Sequence, residues 1–382
     1  MLIAASFFVA LGFGIFFPVI PLFAKSFGVS NAAVGLLVSA FAIARFCSGL
    51  VAGRLVDLFG ERSLYALGIF IVSLSAFLCA FAQNYGQLLF FRTAGGLGSS
   101  MFTVSAGSII MRSVSDDQRG RAQSVYNGSF LIGGIAGPAI GGILSAISLR
   151  APLLAYSFSL MIAGTIGFFF LNAEKTGIRK NEGDEVKMRI PEALRLAPYR
   201  SALVITFVTS WILLGLRSSI LPLFVTEQLH SSKTVLGLGF AVTALFQGML
   251  LLPAGTMSDE RGRRQALLVG TSVVLVGSLI MVFAVHPWMF IGSMAVMGVG
   301  GAFLSTTPAN IVGDVIWGKS GQVIALWQMA GDAGMIIGPL TVGFISDLFS
   351  YRTAFAVSAV VFAVSLPLSY RLGETRKSHL SN

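Results

Sequence analysis

Charge is scarce in this chain: its 382 residues include 26 Lys and Arg and 16 Asp and Glu, 11% together, against roughly 25% in an ordinary soluble domain. That scarcity excludes a water-soluble globule, because so few and such clustered charges cannot cover a folded surface of this size. Cysteine is limited to Cys47 and Cys79, both in apolar stretches without partner spacing, which suggests neither a disulfide framework nor a metal site. The three histidines, His230, His286 and His379, are far apart, and no phosphate-cradling GK[ST] loop is present to harness a nucleotide. No catalytic constellation, cofactor site or metal site is therefore expected, and the chain does not read as an enzyme. The opening MLIAASFFVALGFGIFFPVIPLF lacks a basic start and a small-residue cleavage pattern, so it is read as a first membrane helix, not a signal peptide.

What is abundant is apolar surface: 55% hydrophobic residues, 32 Phe and a mean hydropathy of +0.84. A helix needs about 20 mostly apolar residues to cross a bilayer, and the uncharged runs give twelve spans, at 2–24, 33–56, 64–82, 87–111, 122–146, 151–171, 202–225, 235–257, 266–285, 288–312, 321–346 and 353–370. The fold class expected is an all-α membrane protein of twelve transmembrane helices. One set of loops, with the tail, takes 19 of the 26 basic residues. The other set takes Lys25, Arg150, Lys233 and Arg352. Positive charge stays inside, so both termini are expected in the cytoplasm, as is the polar segment NAEKTGIRKNEGDEVKMRIPEALRLAP. Its PEALRLAP portion is open between a surface-lying amphipathic helix and disorder. The net charge of +10 then reads as topology, and a nucleic-acid partner is not needed to explain it.

GRLVDLFGERS and GTMSDERGRRQ share the order glycine, acid, glycine, base, with Gly53 and Gly255 standing 202 residues apart. Pro21 and Pro222 stand 201 apart, as do Pro138 and Pro339, while Gly96 and Gly98 match Gly298 and Gly300 at 202. Several landmarks at nearly one offset indicate an internal duplication with a parallel repeat. The expected organisation is an N-terminal six-helix bundle at 1–171, a cytoplasmic linker at 172–200, a C-terminal six-helix bundle at 201–371 and a cytoplasmic tail at 372–382.

On these motifs the chain resembles the major facilitator superfamily over essentially its whole length, and within it the drug/proton antiporter-like branch. The family's gating-loop signature stands as Gly53, Asp57, Gly60 and Arg62, and more weakly as Gly255, Asp259, Gly262 and Arg263. Its fourth-helix signature stands as Leu88, Arg92, Gly96 and Gly98, and its antiporter-associated fifth-helix signature as Gly133, Gly137, Pro138, Gly141 and Gly142. The first helix departs from many drug/proton antiporters in carrying no acid.

Asp57 ends an inward-running helix, where its charge meets the negative end of the helix dipole. It needs a partner, either Arg62 or, as the resemblance implies, the N-terminal end of the eleventh helix. Two roles remain open, a latch between states or an anchor that holds the loop in water. Gly133, Gly137 and Gly141 line one helical face for close packing beside Pro138, and Gly334, Gly338 and Pro339 repeat the pattern. Ionisable groups inside spans are costly and face a cavity or a partner. Arg45 lies about 12 residues, roughly 18 Å, from each end of its span. Asp332 reaches a similar depth, and Arg92 and Arg217 sit nearer the outer face. The resemblance places Asp332 within reach of Arg45 or Arg217, either as a permanent ion pair or as a proton carrier, since removing a carboxylate from water favours its neutral form. Asn127 and Gln328 are further pathway candidates, with Trp211, Gln247, Ser305, Asn310 and Trp327 beside them.

A secondary transporter working by alternating access is the expected function, exporting a small organic molecule in exchange for protons. Its partners would be the lipid bilayer, protons and a substrate that three buried Arg against one deep Asp suggest is anionic or zwitterionic. The alternatives are an importer of an organic anion or nutrient and, less favoured, a non-transporting membrane sensor. The location expected is the cell membrane.

Overall fold

The computed structural model describes residues 2–113, 133–134, 136–170, 188–316 and 321–375, and among these every regular element is a helix. The first half runs α1 (Leu2–Phe16), α2 (Ile20–Lys25), α3 (Asn31–Phe59), α4 (Glu61–Ala80), α5 (Tyr85–Ser113), α6 (Ala136–Ile147) and α7 (Ala151–Phe170). The short α8 (Ile190–Arg195) precedes α9 (Ala197–Ser210). A π-helical segment π1 (Trp211–Leu216), then α10 (Ile220–Leu223) and a second π segment π2 (Phe224–Gln228), complete that crossing. The second half continues with α11 (Lys233–Glu260), α12 (Arg263–Val282), α13 (Pro287–Val315), α14 (Gly321–Leu348), α15 (Tyr351–Ala363) and α16 (Ser365–Arg371).

Ten of the described crossings are long and apolar enough to span a bilayer. With α5, which has 29 residues, and α6, the described part of the fifth span, they coincide with the twelve spans read from the sequence. Most helices overrun those spans by about a turn, because the apolar count stops at the hydrocarbon while the helix continues into the interface. Three crossings are broken where a single span was expected. The first turns at Phe17–Val19, around Pro18, which has no N–H to continue the helix. The seventh passes through π1 and π2, and the twelfth turns at Val364. The PEALRLAP portion contains α8, whose first turn is closed by the Glu192 carboxylate accepting the Arg189 N–H at 3.1 Å.

The chain forms two compact units. One comprises Met1–Arg179 with Ser218–Ala241, the other Lys180–Arg217 with Val242–Asn382. Inside each unit the packing is governed by glycine. In the first, a Cβ on Gly68 would come within 2.6 Å of the Gly98 carbonyl, and one on Gly98 equally close to that of Gly68, so α4 and α5 touch backbone to backbone. In the second, a Cβ on Gly300 would meet the Gly270 carbonyl at 2.8 Å. These are the same positions shifted by 202.

Two departures from strict repetition have visible physical causes. Ser75 donates to the Phe91 carbonyl at 2.7 Å, whereas at the equivalent pair Ser293 donates to the Gly277 carbonyl, also at 2.7 Å. The bond between the helices survives with the hydroxyl moved to the opposite helix. The second departure is the register, which is 201 at Pro21 and Pro222 but 202 at the helix caps, where Ser30 accepts the Ala33 N–H and Ser232 the Val235 N–H. One extra residue therefore lies between Pro222 and Ser232, and π2 occupies that interval, closing with a Leu229 N–H to Phe224 carbonyl bond five residues back. A π turn takes up one more residue than an α turn.

Past π2 the chain reaches His230, whose φ of +47° is the one positive value on a non-glycine residue among those described. Its counterpart in the first half is Gly28, with φ +74°. A side chain in the left-handed region costs about 1–2 kcal/mol, and histidine is among the residues that tolerate it better. His230→Gly should therefore raise stability by up to about 1 kcal/mol and Gly28→Ala should lower it, both read as shifts in the unfolding midpoint of the purified protein in detergent. A destabilised His230→Gly would show that the imidazole contributes more than its backbone costs.

Candidate functional site

The repeated charged stretch forms the turn between the second and third crossings of each half. In the first half α3 ends at Phe59 and α4 begins at Glu61, leaving Gly60, with φ +79°, as the whole connection. In the second half Gly262, with φ +105°, opens α12. Both are positions where an L side chain would be strained, which explains the second glycine of the motif. The first glycine has no such cause, since a Cβ on Gly53 or Gly255 would meet nothing within 4 Å.

The bases of the two turns are used differently. Arg62 donates through Nε to the Phe168 carbonyl at 2.7 Å and again through Nη2, with its guanidinium 5.7 Å from the Phe168 ring centroid. It thus neutralises the carbonyl end of α7, where a cation is favourable. Asp57 lies on α3, and its side chain falls outside the described set. Arg263 instead meets carboxylates. Its Nε donates to Asp314 at 2.8 Å, and its Nη1 donates to Asp259 and, at 3.2 Å, to the Ser258 hydroxyl. Asn310 donates to the same hydroxyl at 3.4 Å, and the Thr375 hydroxyl to Asp314 at 3.4 Å.

Gly262 cannot cap α12 with a side chain, so the first N–H groups of that helix need an outside acceptor. Glu374 provides it, accepting from the Arg263 N–H at 2.9 Å and the Arg264 N–H at 3.4 Å. Sequence reasoning missed both Asp314 and Glu374. Asp314 carried a readable signal, because like Asp57 it is an acid near the C-terminus of its helix and hence in need of a cation. Glu374 carried none, since its partners lie 110 and 111 residues away.

On the glycine-rich helices, a Cβ on Gly133 would lie 2.7 Å from the Phe7 carbonyl, one on Gly137 2.6 Å from the Leu11 carbonyl, and one on Gly141 3.0 Å from the Ile15 main chain. The α6 face therefore rides on the α1 backbone, with Pro138 Cδ 2.9 Å from the position a Gly14 Cβ would take. Added Cβ atoms on Gly334 and Gly338 would meet Phe207, Ser210 and Trp211 in the same way, and one on Gly215 would lie 2.9 Å from Pro339 Cδ. At the C-terminal end of α6, a Cβ on Gly142 would lie 3.0 Å from the Gly237 Cα and 3.1 Å from the Lys233 carbonyl, while Lys233 Nζ donates to the Ser145 carbonyl at 3.2 Å.

The charges inside the spans are distributed between the units. Arg45 is half-buried on α3 and Arg92 buried on α5 in the first, while Arg217, which follows π1, and the half-buried Asp332 on α14 belong to the second. The guanidinium of Arg92 lies 3.7 Å from the Phe41 centroid and 4.6 Å from that of Phe16, with the Tyr156 phenol beside it. Its Nε has no hydrogen-bond acceptor among the described residues. This is an aromatic cage for a cation, built inside one unit. Gln328 is exposed on α14, and Asn127 lies outside the described residues. Two other polar candidates hold helices together: Trp211 donates to Ser358 at 3.1 Å, and Trp327 to Thr206 at 2.7 Å.

The Arg263 cluster makes a quantitative prediction. The side chains of Arg263 and Asp314 are 12% and 16% exposed, whereas that of Asp259 is 66% exposed. An exposed pair contributes about 0–1 kcal/mol, and a hydrogen bond between charged groups away from water about 1.5–3 kcal/mol. Asp314→Asn should therefore destabilise the protein more than Asp259→Asn in thermal unfolding. Equal effects would mean that the Asp314 contact is no stronger than a surface pair.

The family model of the major facilitator superfamily matches residues 2–224 and again 203–382. Among curated relatives the chain is 24% identical over 385 residues to multidrug resistance protein 1 of Bacillus subtilis (strain 168), covering 97% of this chain and 95% of that protein. It is likewise 24% identical over 387 residues to the class H tetracycline resistance protein of Pasteurella multocida, covering 94% and 92%. Among solved structures it superposes with a TM-score of 0.78 on a bacterial homolog of the human lysosomal transporter Spinster, in an inward-facing and unoccupied conformation, at 16% identity and over 97% and 95% of the two chains. The two matched regions repeat the duplication seen in the glycine contacts and the paired turns. The chain thus belongs to the major facilitator superfamily, a family of multi-pass membrane transporters and not of enzymes.

Proposed function

We propose that this transporter exports a small organic molecule in exchange for protons, by alternating access between two six-helix bundles whose termini face the cytoplasm. The observation that carries the reading is the glycine face of α6, which lies against the α1 backbone along its length and against the start of α11 at its outer end. A seam without side chains can part and reseat without repacking. The names of relatives, a multidrug resistance protein and a tetracycline resistance protein, support export. The basic residues Arg45 and Arg217 of the spans against Asp332 support an anionic or zwitterionic cargo, and on the same ground an importer of an organic anion is the second reading.

In this reading Asp332 is the proton carrier, with Arg45 or Arg217 as its alternate partner. Arg92, enclosed in its aromatic cage, holds the first bundle in shape. Asp57 and Arg62, with Asp259 and Arg263, bias the two states from the inner turns, and Gln328 and Asn127 line the path.

Two measurements test this. Gly237→Leu puts a side chain where a Cβ alone already lies 2.7 Å from the Pro138 carbonyl, so it should reduce transport at least about ten-fold while the protein still folds. Gly134→Leu, at a position with nothing within 4 Å, should transport like the wild type. Loss in both, or in neither, removes the seam from the mechanism. In inverted vesicles with tetracycline as probe, an imposed pH gradient should drive accumulation by the wild type and fail to drive it in Asp332→Asn. Full coupling in that variant would exclude Asp332 as the carrier, and release in place of accumulation by the wild type would favour the importer.

A further inference from the structure

At the end of the second unit that bears Arg263 and Glu374, the start of α9 and the end of α16 enclose a cleft of about 270 Å³. Its polar wall is Arg200, Arg371 and Ser201, and its apolar wall includes Val204 and Leu368. Neither guanidinium has a hydrogen-bond or ion-pair partner among the described residues, unlike Arg62 and Arg263. The far wall is Gly373, next in sequence to Glu374, whose carboxylate is occupied by the Arg263 and Arg264 N–H groups. The chain forming that wall is thereby fixed, and Glu374 is already engaged. The first turn of α9 has no side-chain cap, so its N–H groups add partial positive charge.

We propose that this cleft binds the phosphate of an anionic phospholipid, with Arg200 and Arg371 as its two ligands. Guanidinium groups match phosphate oxygens in pairs, and two arginines converging on one small cleft can grip a single phosphate from both sides. The lipid source follows from position. The cleft lies where two membrane-crossing helices, α9 and the α15–α16 crossing, meet their polar ends, and basic pockets at such places face lipid headgroups. Val204, 38% exposed, continues from it along α9 as a track for an acyl chain. The volume suits a headgroup phosphate with its glycerol and is small for a whole drug-sized ligand. This site requires only that the helices cross a bilayer and is independent of the export reading.

The test is native mass spectrometry of the full chain released from bilayer discs made with equal parts phosphatidylglycerol and phosphatidylcholine. The wild type should retain phosphatidylglycerol preferentially. A basic side chain near an anionic surface gives roughly a five-fold gain in affinity, so Arg200→Gln combined with Arg371→Gln should cut retention about 25-fold. Ser201→Trp, which fills the cleft and keeps both charges, should do the same, whereas Arg195→Gln, on α8 and outside the cleft lining, should leave retention unchanged. Equal loss in Arg195→Gln would reduce the effect to general surface charge and overturn the proposal. So would retention in both cleft variants, or thermal stabilisation of the wild type by inorganic phosphate matching that by phosphatidylglycerol, which would make the cleft a free-anion site. None of these readouts involves transport, so a failed lipid site and a failed export reading are separable.

Discussion

Helices in a bilayer gain nothing by hiding apolar surface from one another, because lipid tails are as apolar as leucine. Their association rests on how closely two backbones can come together. In this protein that approach is set by glycine, at Gly68 with Gly98, at Gly270 with Gly300, and where Gly133, Gly137 and Gly141 meet α1. A Cβ on Gly270 would stand 2.7 Å from the Phe303 Cβ, and at each of the others one would stand about 3 Å or less from main-chain atoms of the neighbouring helix. The rest of the architecture depends on these seams. They bring serine hydroxyls within reach of carbonyls on adjacent helices, as with Ser159 and Phe8 at 2.6 Å, and they leave large apolar side chains such as Leu252 and Ile147 facing outward.

The duplication shows which features of such a seam are constrained. Between α4 and α5 the first half places Ser75 against Gly95; the second half places Gly277 against Met297. The small residue has changed helix, and the hydroxyl that crosses the seam has changed with it, from Ser75 to Ser293. What persists is one glycine at the contact and one side-chain bond across the seam, not the helix that supplies either. Close packing accounts for this, since a void or an overlap costs energy regardless of which helix supplies it.

Much of this was legible in the sequence because it follows from composition and spacing. The lipid solvent, the spans, the duplication and the need for glycine at Gly60 and Gly262 all come from local rules. The shift in offset from 201 at Pro222 to 202 at Gly255 was also readable, and it marks the extra residue that π2 takes up. Asp314 was recoverable in part, since an acid at a helix C-terminus calls for a cation. Glu374 and the cage around Arg92 were not, because both depend on which distant helices become neighbours: Phe16, Phe41 and Tyr156 come from three different helices. The placement of Arg45 on one unit and of Arg217 and Asp332 on the other likewise follows from tertiary packing and not from spacing.

The two glycine turns share a motif but not a strength. Arg62 is held by a neutral carbonyl and the face of one exposed ring, so its attachment can be exchanged for water at small cost. Arg263 is mostly buried between two carboxylates, with the backbone of its helix capped by a third. Releasing it would leave Asp314, itself only 16% exposed, without its cation, and a charge left unpaired away from water is far more expensive than an exposed one. A duplicated motif has thus become a rigid turn in the second half and an exchangeable one in the first. Any conformational change that uses these turns is accordingly cheaper to make at Gly60 than at Gly262.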